Sequence, residues 1–506
     1  MAKNKKVEIS LEEKLKKALV PVEEQPYKIP DNWVWTRLGE ISKLSGGSGF
    51  PEKYQGFLDK NIPFYKVGSL KNIDDNFYIE NSENYIDEDI LDKIKAKLFP
   101  ENTIIFAKIG EAIRLNRRAI LKENSCIDNN LMALVSNSSC YFRYIYFWLK
   151  KEDLYKYAQA TTVPSIRQST LEELEFPLSP LNEQKRVVEK LDFLFEKTKR
   201  AKEIIEEIKV DIENRKISIL DRVFKGVLTS KWRNENRTSD VKELLKTIND
   251  EKIKKWEEEC LQAEKEGKKK PKKPTITEIE DMIVPVEEQP YKLPDSWIWV
   301  RLGDIGVWGA GATPLKSNSE FYINATIPWL LTGDLNDSYI TEIPNKISEI
   351  ALEKTSVKLN PKGSILIAMY GATIGKVGIL TFPATTNQAC CACSQLFQTE
   401  KMYLFNFLIL ERKNFISRAV GGAQPNISKE KIISTPFPLP PLEEQEEIVR
   451  ILDEVLENEN KVKELLELEE RIDVLEKSIL NKAFKGELGT QNSSDEPAIE
   501  LLKEIL

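Results

Sequence analysis

Guanidinium groups are concentrated in one short segment of this 506-residue chain, IGEAIRLNRRAILK (Ile109–Lys122). It contains Arg114, Arg117 and Arg118 but a single carboxylate, that of Glu111. Arginine binds phosphates and makes paired hydrogen bonds to guanine in the DNA major groove. The segment therefore predicts a nucleic-acid contact, and surface salt bridging is the alternative that the sequence leaves open.

Two turns, TTVPSIRQS (Thr161–Ser169) and GGAQPNISK (Gly421–Lys429), carry side chains that suit base edges or phosphates. Hydroxyl and amide groups both donate and accept hydrogen bonds, as recognition in a groove requires. The same residue types also build ordinary turns, so each position taken singly has both interpretations. The candidates are Ser165, Arg167, Gln168, Gln424, Asn426 and Ser428.

Two glycine-containing loops, SGGSGFPEKY (Ser45–Tyr54) and GAGATPLKS (Gly309–Ser317), could enter a groove. Glycine permits close approach of the backbone, and Lys53 and Lys316 could contact phosphates. With these loops we group the remaining candidate DNA-binding positions, which are Ser48, Lys66, Lys108, Thr313, Tyr370, Thr373 and Lys376.

No catalytic constellation is found. The chain has no histidine, so Ser-His and Cys-His nucleophile pairs are impossible. CCAC (Cys390–Cys393) has no second pair at zinc spacing and predicts buried thiols. GATIGKVG (Gly371–Gly378) departs from the phosphate-loop spacing and predicts a strand–turn–strand. We expect no metal and no cofactor on this chain; an enzyme cleaving phosphodiesters with scattered carboxylates and lysines stays an open alternative.

The elements that must position these loops occur twice. VPVEEQPYKIPDNWVWTRLGEI (Val20–Ile41) and VPVEEQPYKLPDSWIWVRLGDI (Val284–Ile305) are identical at 17 of 22 positions. Further matched pairs follow at nearly the same separation, whereas the material between them differs. This predicts one scaffold that presents two different surfaces. The matched pairs are 97–113 with 358–374, 176–184 with 437–445, 218–228 with 478–488, and 243–248 with 500–505.

Each half continues, after its F-P-L-[SP]-P-L segment, into a helix of about 45 residues, roughly 65–70 Å long. Apolar residues recur at alternating steps of four and three, from Val187 to Ile219 and from Ile448 to Ile479, the second stripe including Leu468 and Leu475. Such a narrow stripe favours an antiparallel coiled coil of the two helices. Two helices that each pack on their own domain are the alternative.

Length and charge limit the class of protein. A chain of this length predicts roughly three or four compact units. The net charge of −7 argues against a protein that coats nucleic acid nonspecifically, but it permits a local contact. KEGKKKPKKP (Lys265–Pro274) is interpreted as an exposed linker rather than a nucleic-acid arm. No apolar stretch of ~18–20 residues and no signal segment is found, so we expect a cytoplasmic protein without a membrane partner.

The duplicated W-x-R-L-G-[ED]-I, [KL]-x-P-x-[GN]-[ST]-I-[LI], F-P-L-[PS]-P-L-x-E-Q and S-I-L-x-x-x-F-x-G motifs resemble the specificity subunit of type I restriction–modification systems, over nearly the whole chain. The resemblance implies an α+β fold, in which two mixed α/β target recognition domains are separated by a pair of long antiparallel coiled-coil helices with a pseudo-two-fold internal repeat. Each domain would read one half of a split DNA sequence, and the helices would set the unread spacer.

The resemblance also implies the partners. They are double-stranded DNA, two modification subunits that use S-adenosylmethionine to methylate adenine, and restriction subunits that use ATP and Mg to cut DNA. This chain would direct them without catalysis of its own. A coiled-coil adaptor holding two peptide- or RNA-binding domains is the alternative. The predicted divisions are 1–19 (helix), 20–181 (recognition domain 1), 182–228 (spacer helix 1), 229–283 (charged helical linker), 284–442 (recognition domain 2), 443–488 (spacer helix 2) and 489–506 (tail helix).

Overall fold

The computed structural model describes residues 10–159, 163–422, 424–456 and 460–506. These residues form two compact units, and the first combines two distant parts of the chain. The first unit comprises Met1–Glu206 with Leu465–Leu506, and the second comprises Glu207–Glu464. The domain boundaries predicted from the sequence stay predictions, and part of the predicted N-terminal helix, residues 1–9, lies outside the described residues.

The helices range from single turns to one of 44 residues. None of the helices in the described ranges is both long and apolar enough to cross a membrane. In chain order they are α1 Leu11–Ala18, α2 Leu38–Ile41, α3 Glu88–Ile94, α4 Phe142–Lys151, α5 Gln168–Glu172, α6 Leu181–Phe224, α7 Ser230–Glu235, α8 Val241–Lys265, α9 Ile279–Met282, α10 Glu349–Lys354, α11 Lys401–Leu410, α12 Arg412–Arg418, α13 Lys429–Ile433, α14 Leu442–Leu456, α15 Asn460–Phe484 and α16 Ala498–Ile505.

The strands are short and lie mainly in the two segments predicted as recognition domains. In chain order they are β1 Val34–Arg37, β2 Ser42–Gly46, β3 Ile62–Tyr65, β4 Tyr85–Ile86, β5 Leu98–Phe99, β6 Ile104–Ala107, β7 Arg118–Ile120, β8 Ser125–Ile127, β9 Leu131–Ser136, β10 Glu175–Leu178, β11 Ile298–Arg301, β12 Gly306–Ala310, β13 Ile327–Leu330, β14 Ser338–Ile340, β15 Lys346–Ile347, β16 Ile365–Ala368, β17 Val377–Leu380, β18 Thr385–Thr386, β19 Cys390–Leu396 and β20 Pro436–Leu439.

The first unit contains an antiparallel sheet in the order β2-β9-β6-β7 and a mixed sheet in the order β4-β3-β8-β5. Along β6 the buried side chains alternate between two cores. Ile104 and Phe106 pack in the cluster that contains Tyr144 of α4, whereas Ile105 packs in the cluster that contains Tyr65. Both faces of the sheet are therefore covered, which explains the uninterrupted apolar sequence of β6.

The second unit repeats this arrangement, with sheets in the orders β12-β19-β16-β17-β14 and β15-β13-β18. Ile365 and Ile367 pack in the cluster that contains Tyr403 of α11, and Leu366 packs in the opposite cluster. The predicted fold class, with two mixed α/β domains and an internal repeat, is confirmed.

The predicted structures of two motifs in the second unit that resemble a phosphate loop and a metal site are also confirmed. GATIGKVG forms the turn between β16 and β17, and CCAC lies in β19. Cys390, Cys391 and Cys393 are all buried, and burial raises the pKa of Cys391 and of Cys393 to about 12. These groups are therefore thiols at neutral pH, which are poor ligands for a metal ion.

The duplicated segment, defined as residues 20–41 (first copy) and 284–305 (second copy), forms a strand that closes each unit. Val34 is paired with Leu178 in β10, and Ile298 with Leu439 in β20. Both pairs are antiparallel and keep the same register. The duplicated segment therefore fastens the beginning of each domain to its end.

A buried glutamate at the start of α6 joins the duplicated segment to the tail of the first unit. Glu183 accepts hydrogen bonds from Trp33 Nε1 (2.8 Å) and from Thr490 Oγ1 (3.1 Å). Both donors are neutral, and both contribute to holding the carboxylate where no solvent reaches its side chain.

The second unit has the same arrangement with a cation added. Glu444, at the start of α14, accepts from Trp297 Nε1 (2.8 Å) and from Thr229 Oγ1 (2.7 Å). Arg233 of α7 donates to both carboxylate oxygens, at 2.7 and 3.2 Å. The E in each P-L-x-E-Q motif is therefore a structural anchor rather than a catalytic group.

The end of α15 lies beside the first part of α6 within the first unit. Thr198 Oγ1 donates to Glu476 Oε1 (2.7 Å), and Lys202 Nζ is 2.7 Å from Asp473 Oδ1. The residue number falls along α15 as it rises along α6, so the predicted antiparallel pairing is confirmed in this unit.

The predicted apolar stripe of the second long helix is wrong in its details. Within the stripe, Leu468 and Leu475 are 42% and 50% exposed, although its last member, Ile479, is buried as predicted. Leu480 and Ala483, which the stripe does not include, are buried as well. The last turns of α15 pack into the core of the domain as well as against α6. A broad core contact follows the 3.6-residue helical period, which differs from the 3.5-residue period of a narrow seam.

The segment between the halves is more than a linker, because the beginning of α8 lies in the core of the second unit. Val241, Leu245 and Ile248 are buried there. Ala498 and Leu502 of α16 lie in the core of the first unit in the same way, which explains the echo of ELLKTI in ELLKEI. The lysine-rich run that follows α8 is exposed, as predicted, and is held to the helix by the hydrogen bond from Trp256 Nε1 to Pro271 O (3.0 Å).

A partly buried ammonium group gives the first unit a pH-dependent stability. Lys150 Nζ lies over the rings of Phe77 (4.2 Å) and Phe195 (4.7 Å), and burial lowers the pKa of Lys150 to about 8. Glu476 and Asp192 favour the charged form, and Arg118 and Lys202 oppose it.

Replacing Lys150 by methionine is expected to stabilise the protein at pH 7, by on the order of 2 kcal/mol. The folded chain disfavours the charged form of Lys150, which lowers the free energy of unfolding. This loss of stability is complete below pH 8, where Lys150 is charged in both states, and it disappears as the pH rises toward the unfolded pKa of about 10.5. Urea unfolding of both proteins between pH 7 and 10.5 measures the difference. A stabilisation that stays constant over this range would contradict the assignment.

Candidate DNA-recognition surface

The predicted loops of the first unit meet at one edge of the antiparallel sheet. The register places Gly46, at the end of β2, beside Met132, and Ala107, at the end of β6, beside Leu131. The chain therefore leaves β2 and β6 at the edge where β9 begins. Both loops that follow these strands contain residues predicted to bind DNA.

The predicted turn after Val163 joins the same edge. Gly110 N donates to Pro164 O (2.7 Å), and Ile166 N donates to Lys108 O (2.9 Å). Ser165 is bridged to Ile109 between these two bonds. Sequence positions more than 50 residues apart are thereby held as neighbours. Thr161 and Thr162 of this turn lie outside the described residues.

The second unit holds its loops with equivalent backbone bonds. Gly371 N donates to Pro425 O (2.8 Å), Ile427 N donates to Met369 O (2.9 Å), and Asn426 is bridged to Tyr370. The backbone framework of the two surfaces is thus the same, although few of the side chains agree. Position 423 lies outside the described residues.

A glycine in each first loop permits a contact that a side chain would prevent. A Cβ atom on Gly47 would lie 2.1 Å from Asp128 O, and a Cβ atom on Gly311 would lie 2.2 Å from Asn387 O. Contacts this short are not tolerated, so both positions require glycine. These two glycines are therefore required for packing against their own domain, and the approach of the loops to a groove stays a prediction.

The first unit carries a cluster of ammonium groups around a carboxylate. Lys97 Nζ donates to Ser45 Oγ (2.8 Å), and burial together with the charge of Lys97 lowers the pKa of Lys108. Asp128 opposes this shift, while burial raises the pKa of Asp128 itself. Lys66 is also near enough to act on Asp128, and it donates to Gln55 Oε1 (2.9 Å). Three cations against one acid favour an anionic ligand.

Lys97 was missed by the sequence interpretation. It lies just before β5, in a segment where lysine gives no signal of its own, and only the pairing of β5 with β8 brings it to this edge. Ser48, which was predicted, accepts a hydrogen bond from Lys97 N (2.9 Å). Its hydroxyl oxygen is therefore already engaged in holding the loop.

The three arginines of the first segment have different surroundings. Arg114 lies over the ring of Tyr155 (4.0 Å) and pairs with Glu111 (2.8 Å), which orients its guanidinium at the surface. Arg117 is exposed. Arg118 is 5% exposed and donates to Asn116 O (2.7 Å) and Glu152 O (2.5 Å). Arg118 is thus a structural residue, and we omit it from the proposed surface.

The other predicted positions of the first unit are reachable. Arg167 and Gln168 are exposed at the start of α5, where Gln168 Nε2 donates to Glu172 Oε1 (2.8 Å). Lys53 is exposed and lies over the ring of Tyr54 (4.8 Å).

The second unit presents mainly uncharged polar groups. The ring of Tyr370 is exposed, and Gln424 and Asn426 are exposed beside it. Amides and a phenol suit hydrogen bonding to base edges, whereas the ammonium cluster of the first unit suits phosphates. Lys316 is exposed on the first loop, and Lys376 is half-buried after the turn.

The remaining hydroxyl groups of the second unit make local bonds. Thr313 donates to Gln388, Thr373 Oγ1 donates to Tyr370 O (2.9 Å), and Ser428 Oγ accepts from Lys431 N (3.3 Å) at the start of α13. Ser428 is therefore a helix cap as well as a candidate contact.

Comparison with known proteins agrees with this duplicated geometry. Residues 30–210 and 294–470 match the model of a family described as the type I restriction modification DNA specificity domain. The chain belongs to this family. The membership predicted from the duplicated motifs is confirmed, and the function of the chain is DNA target recognition within a type I restriction–modification system.

Similar proteins include several type I specificity subunits. That of EcoR124I/EcoR124II from Escherichia coli is 34% identical over 161 residues, which are 31% of this chain and 40% of that protein. That of MjaIX from Methanocaldococcus jannaschii is 22% identical over 480 residues, which are 91% of this chain and 94% of that protein.

A solved structure supports the fold. It comes from work on complex assembly and conformational transition of the type I R-M system. Its chain is 19% identical, with a TM-score of 0.63, and covers 92% of this chain and 100% of its own length.

Proposed function

We propose that this type I specificity chain reads a two-part DNA sequence, one part with the loops of each unit. The observation that carries the proposal is the pair of loop surfaces, built on equivalent backbone bonds but lined by different side chains. Because the backbone frameworks are the same and the side chains differ, the two units are suited to bind the same kind of ligand, DNA, but to recognise different base sequences. An adaptor for peptide or RNA is not favoured.

The positions proposed to contact DNA are those predicted from the sequence, with Arg118 omitted and Lys97 added. In the first unit the cations near Asp128 would neutralise phosphates, and Arg114 and Arg117 would reach phosphates or guanines. In the second unit Tyr370, Gln424 and Asn426 would address base edges. The long helices would set the number of unread base pairs between the two parts.

The chain itself is proposed to be non-catalytic and to work in the cytoplasm. Methylation of adenine would be performed by two modification subunits with S-adenosylmethionine, and cleavage by restriction subunits with ATP and Mg. The complete absence of histidine from the sequence supports this division of labour. We propose that the chain alone binds DNA weakly, because it carries a net charge of −7.

Single-molecule mapping of adenine methylation in the host genome tests the proposal. A strain with the active system is expected to show one two-part motif with a constant gap, and deletion of this gene should abolish methylation at both parts. Reintroducing the gene should restore the same motif. A methylation pattern that does not change on deletion would refute the proposed function.

A further inference from the structure

The two copies of the duplicated segment agree at every position that is exposed in both of them. Seven positions are exposed in both copies, and all seven are identical. We call these residues the outer face. They are Pro21, Val22, Glu23, Glu24, Pro26, Lys28 and Asp31 in the first copy, and Pro285, Val286, Glu287, Glu288, Pro290, Lys292 and Asp295 in the second.

The five differences between the copies lie elsewhere. Four of them are at positions that are partly or fully buried in both copies, and the fifth, Glu40 against Asp304, keeps its charge. This is the reverse of what folding alone produces, because exposed substitutions usually change stability by less than about 0.5 kcal/mol and are free to accumulate. Folding therefore does not explain the identity of the outer face.

The inner residues of the segment, in contrast, have structural reasons to agree. Tyr27 Oη donates to Phe484 O and Tyr291 Oη donates to Phe224 O, both at 3.1 Å. The rings of Pro30 and Pro294 lie against glycines that could not carry a Cβ atom. The inner face holds each unit together, whereas on the outer face the structure gives a side-chain ion pair within the unit only to Glu24 and Glu288, among the described residues.

The outer face is apolar at its centre and acidic around it. Val22 and Val286 are each 80% exposed, and two glutamates follow each valine. The second glutamate of each pair is engaged with an arginine of its own unit, Glu24 with Arg37 (3.2 Å) and Glu288 with Arg301 (2.6 Å). With three carboxylates and one ammonium per copy, this face repels DNA phosphates and suits a protein.

We propose that the outer face of each copy docks one modification subunit, through an apolar pocket for the valine and basic side chains beside it. Two identical faces on one chain, in units whose recognition loops differ, fit two copies of the same partner. Charge complementarity makes that partner basic at the contact. The inference rests on the proposed function, since it is that function which supplies modification subunits in two copies.

The test is the stoichiometry of the complex purified after co-expression with the modification subunit of the same system, measured by native mass spectrometry. The wild-type chain should carry two modification subunits. Val22→Asp with Glu23→Lys should leave one, Val286→Asp with Glu287→Lys should leave one, and the fourfold variant should leave none. Each side chain replaced is exposed, and Asp suits the start of a helical turn, so folding should be kept.

Leu58→Asp in the first unit and Leu261→Asp in the second are matched controls, since both leucines are at least 60% exposed and lie outside the duplicated segment. Each control should keep two modification subunits, and thermal unfolding should match the wild type for every variant. Retention of two subunits by the fourfold variant, or loss of both from a single-copy variant, would overturn the proposal.

The same complexes separate this inference from the proposed function. If the wild-type complex has two modification subunits that the variants lose stepwise, but leaves no two-part methylation, the function fails and the docking surface stands. If methylation is two-part but the variants keep both subunits, only the docking surface fails.

Discussion

Replacing Glu444 by alanine is expected to destabilise the second unit by about 3–5 kcal/mol, because it leaves a buried cation without its partner. The carboxylate is inaccessible to solvent and accepts bonds from Trp297, Thr229 and Arg233. The side chain of Arg233 is only 16% exposed, so water can replace little of what the substitution removes. Scanning calorimetry should show a midpoint lower by about 10 °C.

Substitutions of two other glutamates serve as controls for the loss of stability. Glu183→Ala in the first unit removes the acceptor of two neutral donors and should lower the free energy of unfolding by less, about 1–3 kcal/mol. Glu446→Ala, two residues after Glu444 and exposed, should leave the midpoint unchanged. Equal midpoints for the Glu444 and Glu446 variants would show that the buried ion pair does not stabilise the fold.

Replacing Lys108 and Arg117 together by alanine is expected to weaken DNA binding by the assembled complex by roughly 10–100-fold at moderate salt. For each phosphate that is no longer neutralised, the slope of log affinity against log salt should become shallower by about 0.9. Both cations belong to the first unit, so methylation should become less selective in one part of the target while the other part is read as before. Fluorescence anisotropy with labelled DNA, over a range of salt, measures the slope.

Arg237→Ala with Lys254→Ala removes the same charge from exposed positions outside the loops, and should leave the slope unchanged. Arg118→Ala, at the position next to Arg117, separates a structural role from a role in DNA binding. It breaks the bonds to Asn116 and Glu152, so it should lower the unfolding midpoint without changing the slope of the folded complex. A shallower slope for the Arg118 variant, with an unchanged slope for the Lys108 and Arg117 variant, would reverse our assignment of these groups.

Residue types alone predicted which turns belong to the candidate surface, because glycine, proline and short polar side chains have strong local preferences. They could not predict whether a given cation is reachable. Arg117 and Arg118 are adjacent and chemically equal, yet strand β7 starts between them and turns Arg118 inward. Lys97 joins the cluster only because β5 pairs with β8, and the pairing of strands that are distant in the chain cannot be predicted from a single sequence.

The duplicated motifs determined, without a structure, that this chain is built twice on one plan and presents two different surfaces, since repetition and patterning are local properties of a sequence. Tertiary structure decided which face of the duplicated segment is inner and which is outer. Burial depends on what packs against a residue, and for Tyr27 and Tyr291 that is the end of a long helix from a distant part of the chain. Because the structure shows that Val22 and Val286 are both exposed, the presence of the same apolar residue in both copies indicates a contact with a partner protein.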